Sequence, residues 1–302
     1  MKITGPLKAS AVVVLLGGFF VLSTSLAKPA SKYAVIPVSA ESSEKRPAAR
    51  KLLEMLQGRT QKLTDYSAIH FQRERFGNTM GPLMKMRIKY SKGRTYLKIL
   101  QGPKQDAELL FNPTTGRVTA HKGSFPDLTV HVSPQNHLLL DLQHHTIEDS
   151  SFRAIVQMIT DEVKNCEDLP GSSIRYLSDR ETQTGKTYAV ELTGPWVESK
   201  VSILKDEDIW AFSKRNKMSA AAILHANGLT DFGDFPSQGE VILPRCYGTR
   251  LVVGVDPVRV LPTSIEIFDK KGQLFESYRW EDVDLSPLSD VDFDQTNPAY
   301  NF

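Results

Sequence analysis

Hydrophobic and polar residues alternate along much of the chain, and a period of two predicts β-strands. The stretch 84–90 alternates most regularly, with Met, Ile and Tyr on one side and Lys and Arg on the other. Similar segments follow one another through the sequence, at residues 66–73, 96–99, 108–111, 117–121, 128–132, 174–177, 188–192, 250–255, 264–268 and 274–280. Turn residues separate several of them, so we predict one curved antiparallel sheet.

Two segments show the helical period instead. In residues 47–63, apolar side chains recur at Ala49, Leu52, Leu53 and Leu56. A second segment, about 150–163, carries one apolar stripe, formed by Phe152, Ile155, Val156, Ile159 and Val163. Many sequential strands with two helices predict an α+β domain in which the helices cover the sheet.

Residues 199–246 interrupt this series with a different order of elements. A short apolar segment leads into an acidic turn, and two short helical patterns follow, the second of which starts after Ser219. Asn227-Gly228 is a helix stop signal, and a last apolar strand ends at Pro244. The segment is predicted to be a strand-helix-helix-strand module inserted between two strands of the sheet.

The first 27 residues have the pattern of a secretory signal peptide. Lys2 and Lys8 precede an apolar run, and Ser25-Leu26-Ala27 fits a small-x-small cleavage site. An uncleaved membrane anchor is the alternative. Residues 28–46 are polar and are expected to form a flexible leader.

Charge excludes one broad class of partner. Removing residues 1–27 takes away two lysines and leaves 35 basic and 35 acidic residues (37 − 2 against 35). A formally neutral chain has no general attraction to nucleic acid. Together with the signal-peptide pattern, this predicts a periplasmic or otherwise exported protein that does not bind nucleic acid.

The sequence contains no assembled catalytic motif. It has neither the G-x-S-x-G turn nor the H-E-x-x-H helix, although a triad built from distant residues stays open. His144-His145 has no further ligands at metal spacing and is predicted to be a polar turn before the second helix. We expect no enzyme activity, no metal and no cofactor.

Two cysteines, Cys166 and Cys246, follow the second helix and the inserted module. In an oxidising compartment they could form a disulfide that ties the base of the module to that helix. Two buried thiols are the alternative, and the sequence leaves both open.

The inserted module resembles LysM domains, which bind glycans. Asp206-Glu207-Asp208-Ile209-Trp210 loosely matches the family's first turn, Asn227-Gly228-Leu229 its central motif, and 237–244 its closing motif. Acidic residues replace the glycine and the hydroxyl residue of the first turn. The resemblance implies a peptidoglycan partner held by two loops, with the candidate residues Asp206, Glu207, Asp208, Ile209, Asn227, Gly228, Leu229, Thr230 and Asp231.

The remainder resembles a secreted bacterial family of unassigned function that is similar in fold to LolA-type lipoprotein carriers. The resemblance lies in the strand 66–75, the hairpin 265–272 and the tail 292–302, although Gln295 stands where that family favours proline. It implies a half-open barrel made of two parts, 47–198 and 247–302, with the LysM-like insertion 199–246 between them.

The same resemblance implies a function. A LolA-like domain would hold a lipid or a lipoprotein acyl chain between its sheet and its helices, while the module docks on peptidoglycan. The candidate apolar-ligand residues are Phe71, Met84, Met86, Ile88, Leu97, Phe152, Ile155, Val156 and Ile159. The alternative is a structural or protein-interaction scaffold of the cell envelope without a lipid ligand.

Overall fold

The architecture is dominated by one antiparallel sheet. The computed structural model describes residues 46–302, except 124–126 and 183–184, and all of these belong to one compact unit. Its strands are β1 (Asp65–Phe76), β2 (Thr79–Met80), β3 (Met84–Ser91), β4 (Arg94–Gln101), β5 (Glu108–Asn112), β6 (Arg117–His121), β7 (Thr129–Val132), β8 (Ser173–Thr182), β9 (Gly185–Thr193), β10 (Glu198–Ser202), β11 (Glu240–Pro244), β12 (Arg250–Val255), β13 (Pro262–Phe268) and β14 (Leu274–Asp284).

Helices are few in the described chain. The α-helices are α1 (Ala49–Gln61), α2 (His137–Leu140), α3 (Phe152–Cys166), α4 (Ile209–Asn216) and α5 (Ala220–Ala226). Short 3-10 helices lie at Ile147–Ser150, Phe232–Asp234 and Asp290–Phe293. The predicted α+β class is confirmed, and α1 and α3 are the two helices that the periodicity indicated.

Twelve of the described strands form the main sheet. Its order is β7-β6-β5-β4-β3-β1-β14-β13-β12-β9-β8, with the short β2 paired to β1, and every pairing is antiparallel. In this order β7 and β8 are the two ends, so the sheet is open. This agrees with the predicted half-open barrel.

Helices α1 and α3 pack on the inner face of the sheet. Leu52, Leu56 and Ile159 are almost fully buried there, with at most 2% of their surface exposed. The ring of Phe152 stacks on Tyr66 at a centroid distance of 4.3 Å, and the Phe152 N–H donates to the Tyr66 hydroxyl at 3.0 Å. This contact joins the first turn of α3 to β1 and fixes how the helix approaches the sheet.

The predicted strand-helix-helix-strand order of the inserted segment is confirmed. Strands β10 and β11 pair with each other in a separate two-stranded sheet, whereas β9 and β12, which flank the segment, pair in the main sheet. Asp208 caps α4 by accepting from the Ala211 N–H. Ile209, Phe212 and Ile223 are buried in the same hydrophobic core as the inner face of the sheet. The module therefore packs on the main domain.

Covalent and ionic contacts attach the module at its base. Cys166, at the end of α3, and Cys246, just after β11, form a disulfide with their Cα atoms 5.8 Å apart. Beside it, Arg245 pairs with Asp168 at 2.6 Å. The end of α3 and the end of the module are thereby held together.

The predicted signal peptide, residues 1–27, and nearly all of the predicted leader, 28–46, lie outside the described residues. Among the helices that the structure does describe, none combines the length and the apolar character needed to cross a bilayer.

We expect the disulfide to contribute substantially to stability. It closes a loop with a sequence separation of 80 residues, and restricting the unfolded chain over such a loop is worth about 3–4 kcal/mol. Reductant should lower the melting temperature of the wild-type protein but not that of a Cys166→Ser, Cys246→Ser double variant. A wild-type melting temperature that ignores reductant would contradict this expectation.

Candidate functional site

Strand β1 reverses the usual hydrophobic pattern. Its inner face carries His70, Gln72 and Glu74, all with at most 8% of their surface exposed. The intervening Phe71 lies on the outer face, where its ring packs under the Arg279 guanidinium at 3.9 Å. The prediction that Phe71 lines the concave face is therefore wrong, because a period of two puts neighbouring residues on opposite faces.

The polar row continues across the neighbouring strand β14. In the register of the two strands, Gln72 is opposite Tyr278 and Glu74 is opposite Glu276. We call His70, Gln72, Glu74, Glu276 and Tyr278 the polar floor. All five are buried, which is costly for side chains of this kind unless they have hydrogen-bond partners.

Glu276 has three such partners, and all come from outside the sheet. Its Oε1 accepts from the Tyr247 hydroxyl at 2.5 Å and from His144 Nδ1 at 2.6 Å, and its Oε2 lies 3.3 Å from His145 Nε2. His144 and His145 precede α3, and Tyr247 follows the module. One buried carboxylate thus connects the sheet to both segments that flank it.

Glu74 completes the network. The Tyr278 hydroxyl donates to its Oε1 at 2.5 Å, and the His144 N–H donates to its Oε2 at 2.8 Å. A buried ion pair or hydrogen-bonded carboxylate that loses one partner typically costs 3–5 kcal/mol. The segment 144–145 is therefore held in place by both carboxylates.

The charges in this network stabilise one another. Burial alone would lower the pKa of His145, but the Glu276 carboxylate outweighs burial and raises it to about 9. Burial alone would raise the pKa of Glu276, but the His145 cation and the His144 hydrogen bond hold it well below its usual range. At neutral pH the pair is a carboxylate and an imidazolium.

A cavity of about 850 Å³ lies over part of the polar floor. It is bounded by the inner face of the sheet, by α3 and by α4 and the start of α5, and ligand sites usually have volumes of about 300–1,000 Å³. The buried His70, Gln72, Tyr247 and Tyr278 and the half-buried His145 form its polar part.

The rest of the wall is apolar towards the core and polar towards solvent. Its apolar part consists of Met86, Leu97, Ile147, Ile155, Met158, Trp210 and Met218. Exposed polar residues also border it, among them Gln135, Glu148, Lys214 and Lys217. The cavity can therefore surround an apolar body while offering hydrogen bonds at its buried end.

Two groups of side chains have the composition of a metal site. Donor atoms of Glu74, His144 and Glu276 lie within 4.8 Å of one another. Each carboxylate already accepts hydrogen bonds, Glu74 from Tyr278 and the His144 N–H and Glu276 from Tyr247 and the His144 ring, so the geometry does not require a cation. The second group includes both cysteines, whose sulfur atoms are joined in the disulfide and are not thiolates.

Comparisons with known proteins give remote structural similarities. No family model matches the chain, and no curated protein matches it. Among solved structures, it is similar to an uncharacterized conserved protein from Thermus thermophilus (TM-score 0.38, 8% identity, covering 81% of this chain and 91% of that one). It is also similar to a LolA superfamily protein from Nitrosomonas europaea (TM-score 0.31, 11% identity, covering 82% and 98%).

A third similar structure is the MucA/MucB complex of Pseudomonas aeruginosa (TM-score 0.39, 10% identity, covering 82% of this chain and 60% of that one). The solved structures similar to this chain thus include proteins of the LolA superfamily, the group that the sequence resemblance indicated.

The candidate apolar-ligand residues fall into four places. Met86, Leu97 and Ile155 line the large cavity. Ile88, Phe152, Val156 and Ile159 are buried in the main core, each with at most 2% of its surface exposed. Met84 packs in a small separate cluster with Met86, Ile99 and Ala107, and Phe71 faces outward.

Several of the candidate glycan-binding side chains already form ion pairs or hydrogen bonds within the module. Glu207 forms an ion pair with Arg215 at 2.6 Å, and Asp208 caps α4. Asn227 bonds through its side chain to both the N–H and the carbonyl of Ile242 in β11. These contacts hold the loops to the rest of the module.

The other members of that set have similar placements. Ile209 is buried, Leu229 is half-buried against the core, and Gly228 has a positive φ of +71° after α5. Asp231 accepts from the Gly233 N–H, while Asp206 and Thr230 are exposed. Peptidoglycan binding by these loops stays a prediction.

Sequence reasoning missed the polar part of the site. His144 and His145 were predicted to form a polar turn, yet His144 is buried and His145 half-buried against Glu276. Glu74, Tyr247 and Glu276 were not singled out at all. A signal did exist in the sequence. Every second position of residues 70–74 is polar, and these positions face the same side of the sheet as the buried residues of the next strand.

The His145–Glu276 pair predicts a pH dependence of stability. The folded pKa of His145, about 9, lies above its unfolded value of about 6.5. Its stabilisation is therefore complete below pH 6.5 and is lost as the pH rises towards 9, by at most about 3 kcal/mol. His145→Gln should flatten the free energy of unfolding between pH 7 and 9.

The matched control is His137→Gln, which removes an exposed histidine of α2 and should leave the slope unchanged. Chemical denaturation at several pH values measures both variants. A wild-type free energy of unfolding that is flat from pH 7 to 9 would contradict the proposed ion pair.

Proposed function

We propose that this protein is a non-catalytic binding protein of the cell envelope that shelters an apolar molecule, such as a lipid or a lipoprotein acyl chain. The observation that carries the proposal is the cavity of about 850 Å³ between the sheet, α3 and the module. The cavity opens to solvent between exposed polar residues, and its volume lies in the range of known ligand sites. A cavity of this size with an apolar wall fits an occupant.

The residues of the wall suit a flexible apolar ligand. Three methionines, Met86, Met158 and Met218, come from the sheet, from α3 and from the end of the α4 segment. Thioether side chains are unbranched and polarizable, so they adapt to occupants of different shape. Methionine from three separate elements gives a wall that adjusts on every side.

Helix α3 is placed as a lid. A second cavity, of about 560 Å³, lies on its other flank and is lined by Tyr90, Phe111 and Arg153 among others. Ala154 and Gln157 of α3 border both cavities. The helix thus covers the space above the sheet while its buried stripe and its disulfide hold it in place, and the open flanks give a ligand a way past it.

The buried polar residues support binding rather than catalysis. Glu276 accepts hydrogen bonds from both Tyr247 and the His144 ring, and we interpret the three as a structural link between the sheet and its flanking segments. The Ser219 hydroxyl donates to Tyr247 at 3.4 Å and not to a histidine. The disulfide fits an oxidising compartment and so supports the envelope location.

We further propose that the protein docks on peptidoglycan through the module. This proposal rests on the resemblance of residues 199–246 to LysM domains and on their strand-helix-helix-strand order. Retention of the full-length protein on purified peptidoglycan at low salt tests it. The rival is a scaffold that binds protein partners and has an empty cavity.

Filling the cavity should abolish binding without unfolding the protein. Ala154 is half-buried on α3 and borders the cavity, so Ala154→Trp adds an indole without removing a core side chain. Native mass spectrometry of protein purified from envelope extract should show co-purifying lipid on the wild type and at least tenfold less on Ala154→Trp.

The control variant is Lys164→Trp, which places the same side chain at an exposed position of α3 away from the described cavities. It should retain the lipid. Lipid that stays on folded Ala154→Trp, or a wild type without any apolar ligand, would reject the proposed function.

A further inference from the structure

The buried end of the cavity contains an imidazole without a partner. His70 is only 2% exposed, and neither of its ring nitrogens has a hydrogen-bond partner among the described residues. Burial lowers the pKa of His70 to about 3, so the ring is neutral. Neutral imidazole has one N–H donor and one nitrogen acceptor, and leaving them unmatched typically costs about 1–3 kcal/mol each.

A second unmatched group is next to it. Trp280 is opposite His70 in the register of β1 and β14, and the two rings meet edge to face with centroids 5.1 Å apart. The indole Nε1 of Trp280 is buried and also has no partner within the described chain. Unmatched buried groups are rare in folded proteins, so two in contact call for an explanation.

The position of His70 provides one. His70 borders the cavity together with Gln72 and Tyr278, and Trp280 is not part of its wall. Both ring nitrogens of His70 are covered, so a ligand that bonds to one of them must displace neighbouring side chains. Across β3 the residue paired with His70 is Met86, which belongs to the apolar part of the same wall. The unmatched imidazole thus lies where the apolar and polar parts of the cavity meet.

Charge around the cavity limits which polar group can enter. Its wall contains four carboxyl groups, Glu148, Asp149, Asp161 and Glu162, and besides the neutral His70 four basic side chains, His144, His145, Lys214 and Lys217. Glu74 and Glu276 belong to the floor but do not line the cavity, and with them six carboxyl groups (4 + 2) stand against four basic side chains. An anionic head group would meet net repulsion here, and a neutral one would not.

We propose that the cavity selects apolar molecules that carry a neutral group able both to donate and to accept a hydrogen bond, such as a hydroxyl or a carboxamide, and that His70 recognises this group. This inference rests on the proposed function, since it assumes an apolar occupant. It adds that the occupant is a neutral hydroxylated or amide-bearing amphiphile and not a free fatty acid or another anionic lipid.

Matched probes separate these classes. Dodecan-1-ol, 1-methoxydodecane and dodecanoate share one chain and differ in the head group: donor and acceptor, acceptor only, and anion. Each is titrated against the full-length protein holding N-phenyl-1-naphthylamine, whose fluorescence reports displacement. The alcohol should displace the dye at a concentration about fivefold lower than the ether or dodecanoate, the effect of one neutral hydrogen bond.

His70→Phe keeps an aromatic ring in contact with Trp280 but removes both nitrogens. It should bring the ratio between ether and alcohol to about one, because displacement by the alcohol weakens more than displacement by the ether. Its melting temperature should rise, because an unmatched polar group leaves the core. Met84→Leu, on the same face of the sheet but outside the cavity, is the control and should keep the wild-type ratio.

The outcomes separate the two proposals. If neither the dye nor any probe binds, the proposed function fails and this inference fails with it. If the probes bind but the wild type does not distinguish alcohol from ether, only the inference fails. It also fails if dodecanoate binds most tightly, or if folded His70→Phe keeps the preference for the alcohol. The wild-type ratio decides the matter even where His70→Phe does not fold.

Discussion

Two carboxylates buried on the inner face of the sheet impose the main constraint on this structure. Glu74 and Glu276 have at most 2% of their surface exposed, and a charge in such a place must be matched by donors. The donors come from the segment before α3 and from the residue after the module. The sheet therefore folds with α3 and the module in fixed positions, and the cavity is the space that they enclose.

This arrangement separates two tasks that a cavity must combine. The saturated network of Glu74, Glu276 and their partners provides rigidity, because each group already has its hydrogen bonds. His70, on the same inner face, borders the cavity and is left without a partner in the described chain. The unmatched His70 lowers the stability of the folded protein, and the hydrogen bonds of its neighbours in the floor offset that loss. Such local exceptions are common at binding sites.

Local periodicity predicted the elements well and their orientation less well. The stripe of α3 and the alternation of β3 depend on neighbours within a few residues, so they can be read directly from the sequence. In β1 the same reasoning placed Phe71 inside, because an apolar ring is expected to avoid water. In the structure that ring is covered by Arg279 on the outer face, a residue 208 positions away (279 − 71).

The partners of the polar floor were beyond prediction for the same reason. Glu74 is matched by His144 and Tyr278, which lie 70 and 204 residues further along the chain. No local pattern shows that two strands and a loop so far apart in sequence will meet. A glutamate that is buried in the fold is therefore predicted to lie on the surface. The cysteines were an intermediate case: two in an exported chain suggest a bridge, but only the fold shows that 80 residues of sequence separation become 5.8 Å.

The central claim, an apolar ligand between sheet and lid helix, is tested most directly by methyl NMR. Protein labelled with carbon-13 at the methionine methyl groups is titrated with dodecan-1-ol. Met86, Met158 and Met218 line the cavity, whereas Met84 and the exposed Met55 do not. We predict saturable shifts confined to the first three signals. Shifts at Met55 alone, or no saturable shift at any cavity methionine, would contradict the account.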